Sequence, residues 1–215
     1  MIEFYLENGL WLTVSYVLSR VAGKLRNFWL SAGLNSGRGL SIGPGAYLRG
    51  LAHIRAGKNF VSGVNLRLEA VTQHCDRRYS PEIIIGDNVA VSDYVHIGAV
   101  TRVEIGNNVL MGSKVYISDH SHGDYSGPAV SSPDVPPNLR ALTTGKTVVI
   151  EDNVWIGDAV AVLPGVRIGY GSVIGANSVV SRDIPPLSIA VGAPARAIKK
   201  WDPAAKVWAA IGDKQ

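Results

Sequence analysis

The sequence predicts an all-β fold, a parallel β-helix, and three observations carry that prediction. Aliphatic residues recur every six positions: Ile150, Ile156, Val162, Ile168, Ile174 and Val180 form one unbroken series. Ile85, Val91, Ile97, Ile105, Met111 and Ile117 form another, with a two-residue slip in its middle. Four residues after each member of the first series stands a small or aliphatic partner: Val154, Val160, Val166, Ser172, Ser178 and Ile184. Turn formers punctuate the frame, as Asp-Asn or Asn-Asn pairs at 87–88, 107–108 and 152–153 and as glycine directly after Ile156, Ile168 and Ile174. A period of six suits neither a helix nor a simple alternating strand. It suits short strands joined by turns, three hexads closing one triangular coil, with coils stacked at about 4.8 Å around a continuous apolar axis. A β-sandwich with glycine-rich turns would not keep so strict a period.

Taken in order, residues 3–30 come first, with Phe4, Leu6, Leu10, Trp11, Val14, Val17, Leu18, Val21, Leu25, Phe28 and Trp29 at spacings of three and four. They predict one or two amphipathic helices. Two roles are open: a cap on the end of the solenoid, or a helix lying on a membrane surface, with Arg20, Lys24 and Arg26 nearby. A weaker hexad set, Ile42, Leu48, Ile54, Phe60 and Leu66, starts the coil. Residues 67–84 partly lose the pattern, and QHCDRRYSPE reads as a loop or irregular coil. Between Ile117 and Val148 the repeat stops altogether, at a long proline-bearing loop of the kind that usually carries function. After the last hexads, Pro203–Ile211 reads as a short helix. The divisions expected are a helical segment 1–36, a β-helix 37–197 with an extruded loop 118–147, and a tail 198–215.

Composition narrows the function. Charged residues are 18% of the chain and the net charge is +4, with no run of Lys and Arg interleaved with aromatics, so nucleic acid is not the expected partner. A mild positive excess suits a small anionic ligand. One cysteine, Cys75, excludes an intramolecular disulfide and a cysteine-based zinc cluster. The first residues do not read as a signal peptide, and no apolar run is long enough to span a bilayer.

The chemistry is expected where the repeat breaks, at YISDHSHGDYSG. His120 and His122 stand at the root of the loop, and a histidine there is a candidate general base because its pKa lies near neutrality. The plain alternative is two solvated loop histidines. His96 sits on a strand and faces either a cleft or the surface, while His53 and His74 carry little signal. A third reading has His96, His120 and His122 converge on zinc.

The stretch IEDNVWIGDAVAVLPGVRIGYGSVIGANSVVSRDIPPLSIAVGAPARAIKK closely resembles the hexapeptide-repeat acetyltransferases, in the branch of the maltose, galactoside and xenobiotic enzymes. With IIIGDNVAVSDYVHIGAVTRVEIGNNVLMGSKVYISDHSHGDYSG added, it looks most like bacterial lipopolysaccharide and capsule O-acetyltransferases. The resemblance covers roughly residues 83–200. It implies a left-handed coil, a homotrimer with active sites between subunits, acetyl-CoA as donor, no metal, and a cytoplasmic enzyme with the option of peripheral inner-membrane contact through residues 1–30. It implies a loop histidine as base, His120 first and His122 second. Carried over as CoA-facing are Trp155, Asp158, Ala176, Ser181, Arg182, Arg196 and Lys199, and as sugar-facing Asp93, Tyr94 and His96. Backbone N–H groups near the turn 155–158 would hold the oxyanion. The expected reaction is direct O-acetylation of a sugar or glycan-precursor hydroxyl in lipopolysaccharide, capsule or exopolysaccharide synthesis. N-acetylation of an amino sugar or nucleotide sugar is the alternative. A zinc enzyme like the γ-carbonic anhydrases and a non-catalytic scaffold stand further off.

Overall fold

The computed structural model describes residues 2–126 and 130–211, with residues 2–5, 7 and 8 described by backbone alone. Expectations that touch residue 1, 127–129 or 212–215 lie outside them.

Three parallel sheets make up the body. Sheet 1 contains Tyr47–Arg49, Arg67–Ala70, His96–Ala99, Tyr116–Ser118, Ala161–Val162 and Val179–Val180. Sheet 2 contains Ile54–Ala56, Glu82–Ile85, Arg102–Ile105, Val148–Ile150 and Arg167–Ile168. Sheet 3 begins with Val61–Ser62 and continues through Ala90–Val91, Leu110–Met111, Trp155–Ile156, Val173–Ile174 and Ser188–Gly192. Successive strands enter sheets 1, 2 and 3 in rotation. Ile150 therefore faces Ile168, and Ile156 faces Ile174, three hexads on. All the aliphatic members of the two main series point inward: none from Ile85 to Val180 is more than 4% exposed. Burial of each such side chain contributes roughly 1.5–3 kcal/mol. Their partners Ser172 and Ser178 are also buried, with hydroxyls donating to Pro185 O at 2.9 Å and Gly175 O at 2.7 Å.

The corners divide the turn chemistry between two residue types. Asn88, Asn108 and Asn153 take the left-handed conformation, at φ 57, 56 and 59°. Their amides stack in a ladder, Asn88 Nδ2 donating to Asn108 Oδ1 at 3.1 Å and Asn108 Nδ2 to Asn153 Oδ1 at 3.0 Å. Glycine is needed for closeness instead: a Cβ on Gly169 would stand 2.4 Å from Pro186 N.

The helix α1 spans Ile2–Gly33 and breaks at Gly9, φ 75°. Its last turns are the cap: Leu34 is fully buried and Leu30 packs on the core. Asn27 Oδ1 accepts the Ile42 N–H at 3.3 Å, and the Arg26 guanidinium donates to Ile42 O. No helix among the described residues is long and apolar enough to cross a membrane.

Two expectations are corrected. Residues 73–78 form an antiparallel hairpin, Gln73–His74 against Arg77–Arg78, rather than irregular coil. The expected helix at Pro203–Ile211 is a turn followed by the strand Val207–Ala210. It pairs with Ala195–Asp202, which itself pairs antiparallel with the last parallel strand of sheet 3. An open sheet edge and a cross-strand Trp201–Trp208 contact, with ring centroids 5.4 Å apart, outweigh the alanine-rich helix propensity.

Candidate active site

The corner between sheets 1 and 2 is irregular in three consecutive coils. One coil throws out the hairpin 73–78, the next turns tightly at Val100–Thr101, and the next throws out the loop that follows Ser118. Two excursions flanking a tight turn leave a cleft of about 480 Å³ between them. The loop base is tied down as a short ladder: Ser121 N–H donates to Thr143 Oγ1 at 2.8 Å, Thr143 N–H to Ser121 O at 3.0 Å, and Gly123 N–H to Ala141 O at 2.8 Å. Leu142 packs with Val71, Val100 and Tyr79, a small apolar cluster that seats the loop against the hairpin side.

His120 stands at the centre. Its Nδ1 lies 2.8 Å from Asp119 Oδ1 and 3.2 Å from Ser118 Oγ. Asp119 is fully buried, and its carboxylate accepts three successive backbone N–H groups of the tight turn: Val100 at 2.9 Å, Thr101 at 2.7 Å and Arg102 at 2.7 Å. These bonds offset the cost of burying the carboxylate and fix its position. A carboxylate accepting at Nδ1 selects the tautomer with its lone pair on Nε2. That nitrogen has no hydrogen bond among the described residues and belongs to a ring whose side chain is 15% exposed to the cleft.

Gly98 forms the floor. A Cβ there would lie 3.5 Å from His120 Cε1 and 3.7 Å from His96 Nε2, so both rings reach over the same point of sheet 1. His96 Nε2 is 3.1 Å from Glu69 Oε2, and its ring meets Tyr116 edge-on at 5.3 Å. Burial, helped by the Arg67 charge, pushes the His96 imidazole below its ordinary pKa. Burial alone would raise the Glu69 carboxyl, but the Arg67 guanidinium bonded to it, together with His96, brings it below the usual carboxylate range. His122 lies across the cleft, its ring edge-on to His74 at 5.0 Å. Burial first, then His74 and His120, push its pKa down.

The cleft thus gathers His96, His120 and His122 of the predicted residues. It does not gather Asp93 and Tyr94, which sit in a turn on another corner, where Asp93 Oδ1 accepts the Val64 N–H at 2.8 Å. Among the described residues no three ligands come together as a metal-holding group, so the zinc arrangement of His96, His120 and His122 is not assembled. The donor-side residues lie elsewhere. Trp155 and Lys199 share one row across sheet 3 through Val173 and Ile189. Asp158 Oδ1 accepts the Ser113 N–H, and Ala176 is in the neighbouring turn. Ser181 and Arg182 follow the last strand of sheet 1, and Arg196 lies opposite Val191. The N–H groups of Trp155 and Gly157 are bonded to Ser172 O and Gly175's neighbour Ile174 O, so neither is a free oxyanion donor.

Four contributors escaped sequence reading. Asp119 had a signal, its adjacency to His120. His74, read as carrying little signal, reaches the cleft only through the hairpin. Arg67 and Glu69 lie in register with His96 and Gly98 on sheet 1, a pairing visible only once the coil is built. A larger groove, about 590 Å³, runs along the outside of sheet 2 but has no histidine, and its Arg102 pairs with Glu82 and Glu104.

Residues 147–182 match the family model for the bacterial transferase hexapeptide (six repeats), the class to which a three-sided stack of hexapeptide coils corresponds. The chain is 45% identical to WbbJ of Escherichia coli K12, named for O-acetyl transfer in lipopolysaccharide biosynthesis, over 75% of this chain and 79% of that protein. It is 44% identical to a galactoside O-acetyltransferase of Lactococcus lactis over 46% of this chain and 44% of the other. Among solved structures, a variant of the Bacillus cereus N-acyltransferase AntD, in complex with dTDP-4-amino-4,6-dideoxyglucose and coenzyme A, shares the fold. Its TM-score is 0.65, at 24% identity over 84% of this chain and 91% of that one. The protein belongs to the hexapeptide-repeat acetyltransferases and is an acetyltransferase.

Proposed function

We propose that the protein transfers the acetyl group of acetyl-CoA to a hydroxyl of a sugar in the synthesis of lipopolysaccharide or a related surface polysaccharide. The observation that carries this reading is the Asp119–His120 pair, with Nε2 open to the cleft above Gly98. The acceptor hydroxyl gives its proton to Nε2 while its oxygen bonds to the thioester carbonyl carbon. Asp119 stabilises the imidazolium that forms. The tetrahedral intermediate then expels the CoA sulfur, which takes the proton from Nε2. His122, held beside His74, serves as a sugar contact rather than the base. His96, with Glu69 and Arg67, supplies the other polar contacts to the sugar.

Acetyl-CoA is the co-substrate. Arg182, Arg196 and Lys199 are exposed cations without salt bridges among the described residues, which fits them to its phosphates. The exposed Trp155 ring, with Asp158, Ala176 and Ser181 near its end of the coil, suits the pantetheine arm. Because none of this set lines the cleft of its own chain, the reading includes a homotrimer of left-handed coils, in which one subunit's donor residues meet the next subunit's cleft. It also includes a cytoplasmic location.

The test is thiol release from acetyl-CoA across neutral sugars, amino sugars and nucleotide sugars. Sugar-dependent release that falls by about 10²–10⁴ in His120→Ala, with the oligomer unchanged in light scattering, is expected. Full activity in that variant would remove His120 as base, and strict dependence on an amino group would replace O- by N-acetylation.

A further inference from the structure

The helix α1 is docked with its faces reversed. Its side against the coil is marked by the partly or fully buried Gly23, Arg26, Asn27, Leu30 and Leu34, a row dominated by polar contacts. Half a turn away runs an apolar stripe, Leu10, Val14, Leu18, Val21, Leu25 and Phe28, flanked by Trp11 and Trp29. Leu10 is 60% exposed, Leu18 63%, Leu25 60%, Phe28 68%, Trp29 74% and Trp11 85%. From Leu10 to Trp29 the stripe is about 30 Å long. An apolar patch of this size, left bare, marks an interaction surface.

The geometry points to a bilayer with anionic headgroups as the occupant. Residues 10–33 contain Arg20, Lys24 and Arg26 and no acidic residue. Arg26 is turned to the coil, Lys24 is exposed beside the stripe, and the exposed Arg20, bonded to the Tyr16 hydroxyl, stands between Lys24 and the coil side. Tryptophans at both ends and basic residues at the flank match the interface of an anionic membrane. The stripe itself offers these cations no acidic partner in a second copy, since the helix's acids, Glu3 and Glu7, lie before the break at Gly9. The helix is not long and apolar enough to cross the bilayer, so it lies on the surface and holds the coil, with its corner cleft, beside it. This inference stands apart from the proposed acceptor.

The test is flotation of the full chain with vesicles of phosphatidylcholine, with and without phosphatidylglycerol, scored beside thiol release on a soluble acceptor. Binding to phosphatidylglycerol vesicles is expected, weaker on phosphatidylcholine alone and at high salt. Leu18→Glu with Val21→Glu should abolish flotation while leaving thiol release unchanged. Arg20→Glu with Lys24→Glu should lower partitioning into anionic vesicles by more than about tenfold and leave the weak binding to neutral vesicles. Failure of the wild type to float overturns the proposal, as does flotation indifferent to the stripe substitutions. So does a lipid-free assembly that the Leu18→Glu, Val21→Glu chain no longer forms while wild-type flotation is absent, since the stripe then binds another copy.

Discussion

Two corners of the coil use the same device for different ends. At the regular corner, Asp152 Oδ1 accepts the Asn107 N–H of the previous coil at 2.7 Å, and Asp87 Oδ1 accepts the Lys58 N–H at 2.7 Å. Each closes one turn of the previous coil, and Asn107 fills the place between them, its Oδ1 accepting the Asp87 N–H at 2.8 Å. At the irregular corner, Asp119 reaches back to the previous coil in the same way, but takes three N–H groups and holds His120 as well. The candidate dyad is a turn cap converted to chemistry. What makes it singular is that no neighbouring coil repeats it.

The contrast is broken most sharply at Asp119. Asp119→Ala leaves the N–H groups of Val100, Thr101 and Arg102 without their acceptor and His120 without its partner. Turnover should fall by about 10²–10⁴, and stability by about 3 kcal/mol. Thiol-release kinetics and urea unfolding read the two losses separately. A variant as active and stable as the wild type would make Asp119 an ordinary cap. Next in size is Gly98→Val. The added methyls enter the space shared by the His96 and His120 rings, so kcat/KM should drop by about tenfold or more with the unfolding midpoint nearly unmoved. Gly98→Ala, whose Cβ finds only ordinary contacts, should lose less. Asp152→Ala supplies the opposite pole: it removes one half-buried ladder residue, costs about 1 kcal/mol, and leaves turnover unchanged. Loss of turnover there would mean that the regular corner is not redundant.

These two corners also differ in how far they can be read from sequence. The regular one is almost fully legible, because an inward aliphatic every six residues and Asp-Asn pairs are local signals with one structural meaning. Glycine's part was only half legible: Gly169 is required by Pro186 in the next coil, a contact between residues distant in sequence. The irregular corner announced itself by the break at Ser118 and by His120. Its supporting groups did not, since Arg67, Glu69 and Gly98 become neighbours of His96 only through the register of sheet 1. Asp93 and Asp158 show a second role that spacing does not reveal: both bond backbone amides of the preceding coil, as the ladder aspartates do. The C-terminal segment failed for another reason: helix propensity is local, whereas the open edge of sheet 3 that captured Val207–Ala210 is not.

The smallest expected effect is a difference in pH response between the corners. His96 is held below its ordinary value of 6.5, first by burial and then by the Arg67 charge. A depressed histidine favours the fold while neutral, so its contribution is present above 6.5 and is lost as pH falls through the lower folded value. Glu69, depressed from 4.5, adds a second loss further into acid. Thermal unfolding followed from neutral into mild acid should show stability declining with pH in the wild type, and a shallower decline in His96→Gln, where the contributions of His122, also held below its ordinary value, and of Glu69 remain. Asp152→Ala, whose change lies at the regular corner, should keep the wild-type slope at a lower midpoint. If His96→Gln also kept that slope, the acid sensitivity would lie outside the cleft, and the coupling of His96 to Glu69 and Arg67 would carry no weight in the folded state.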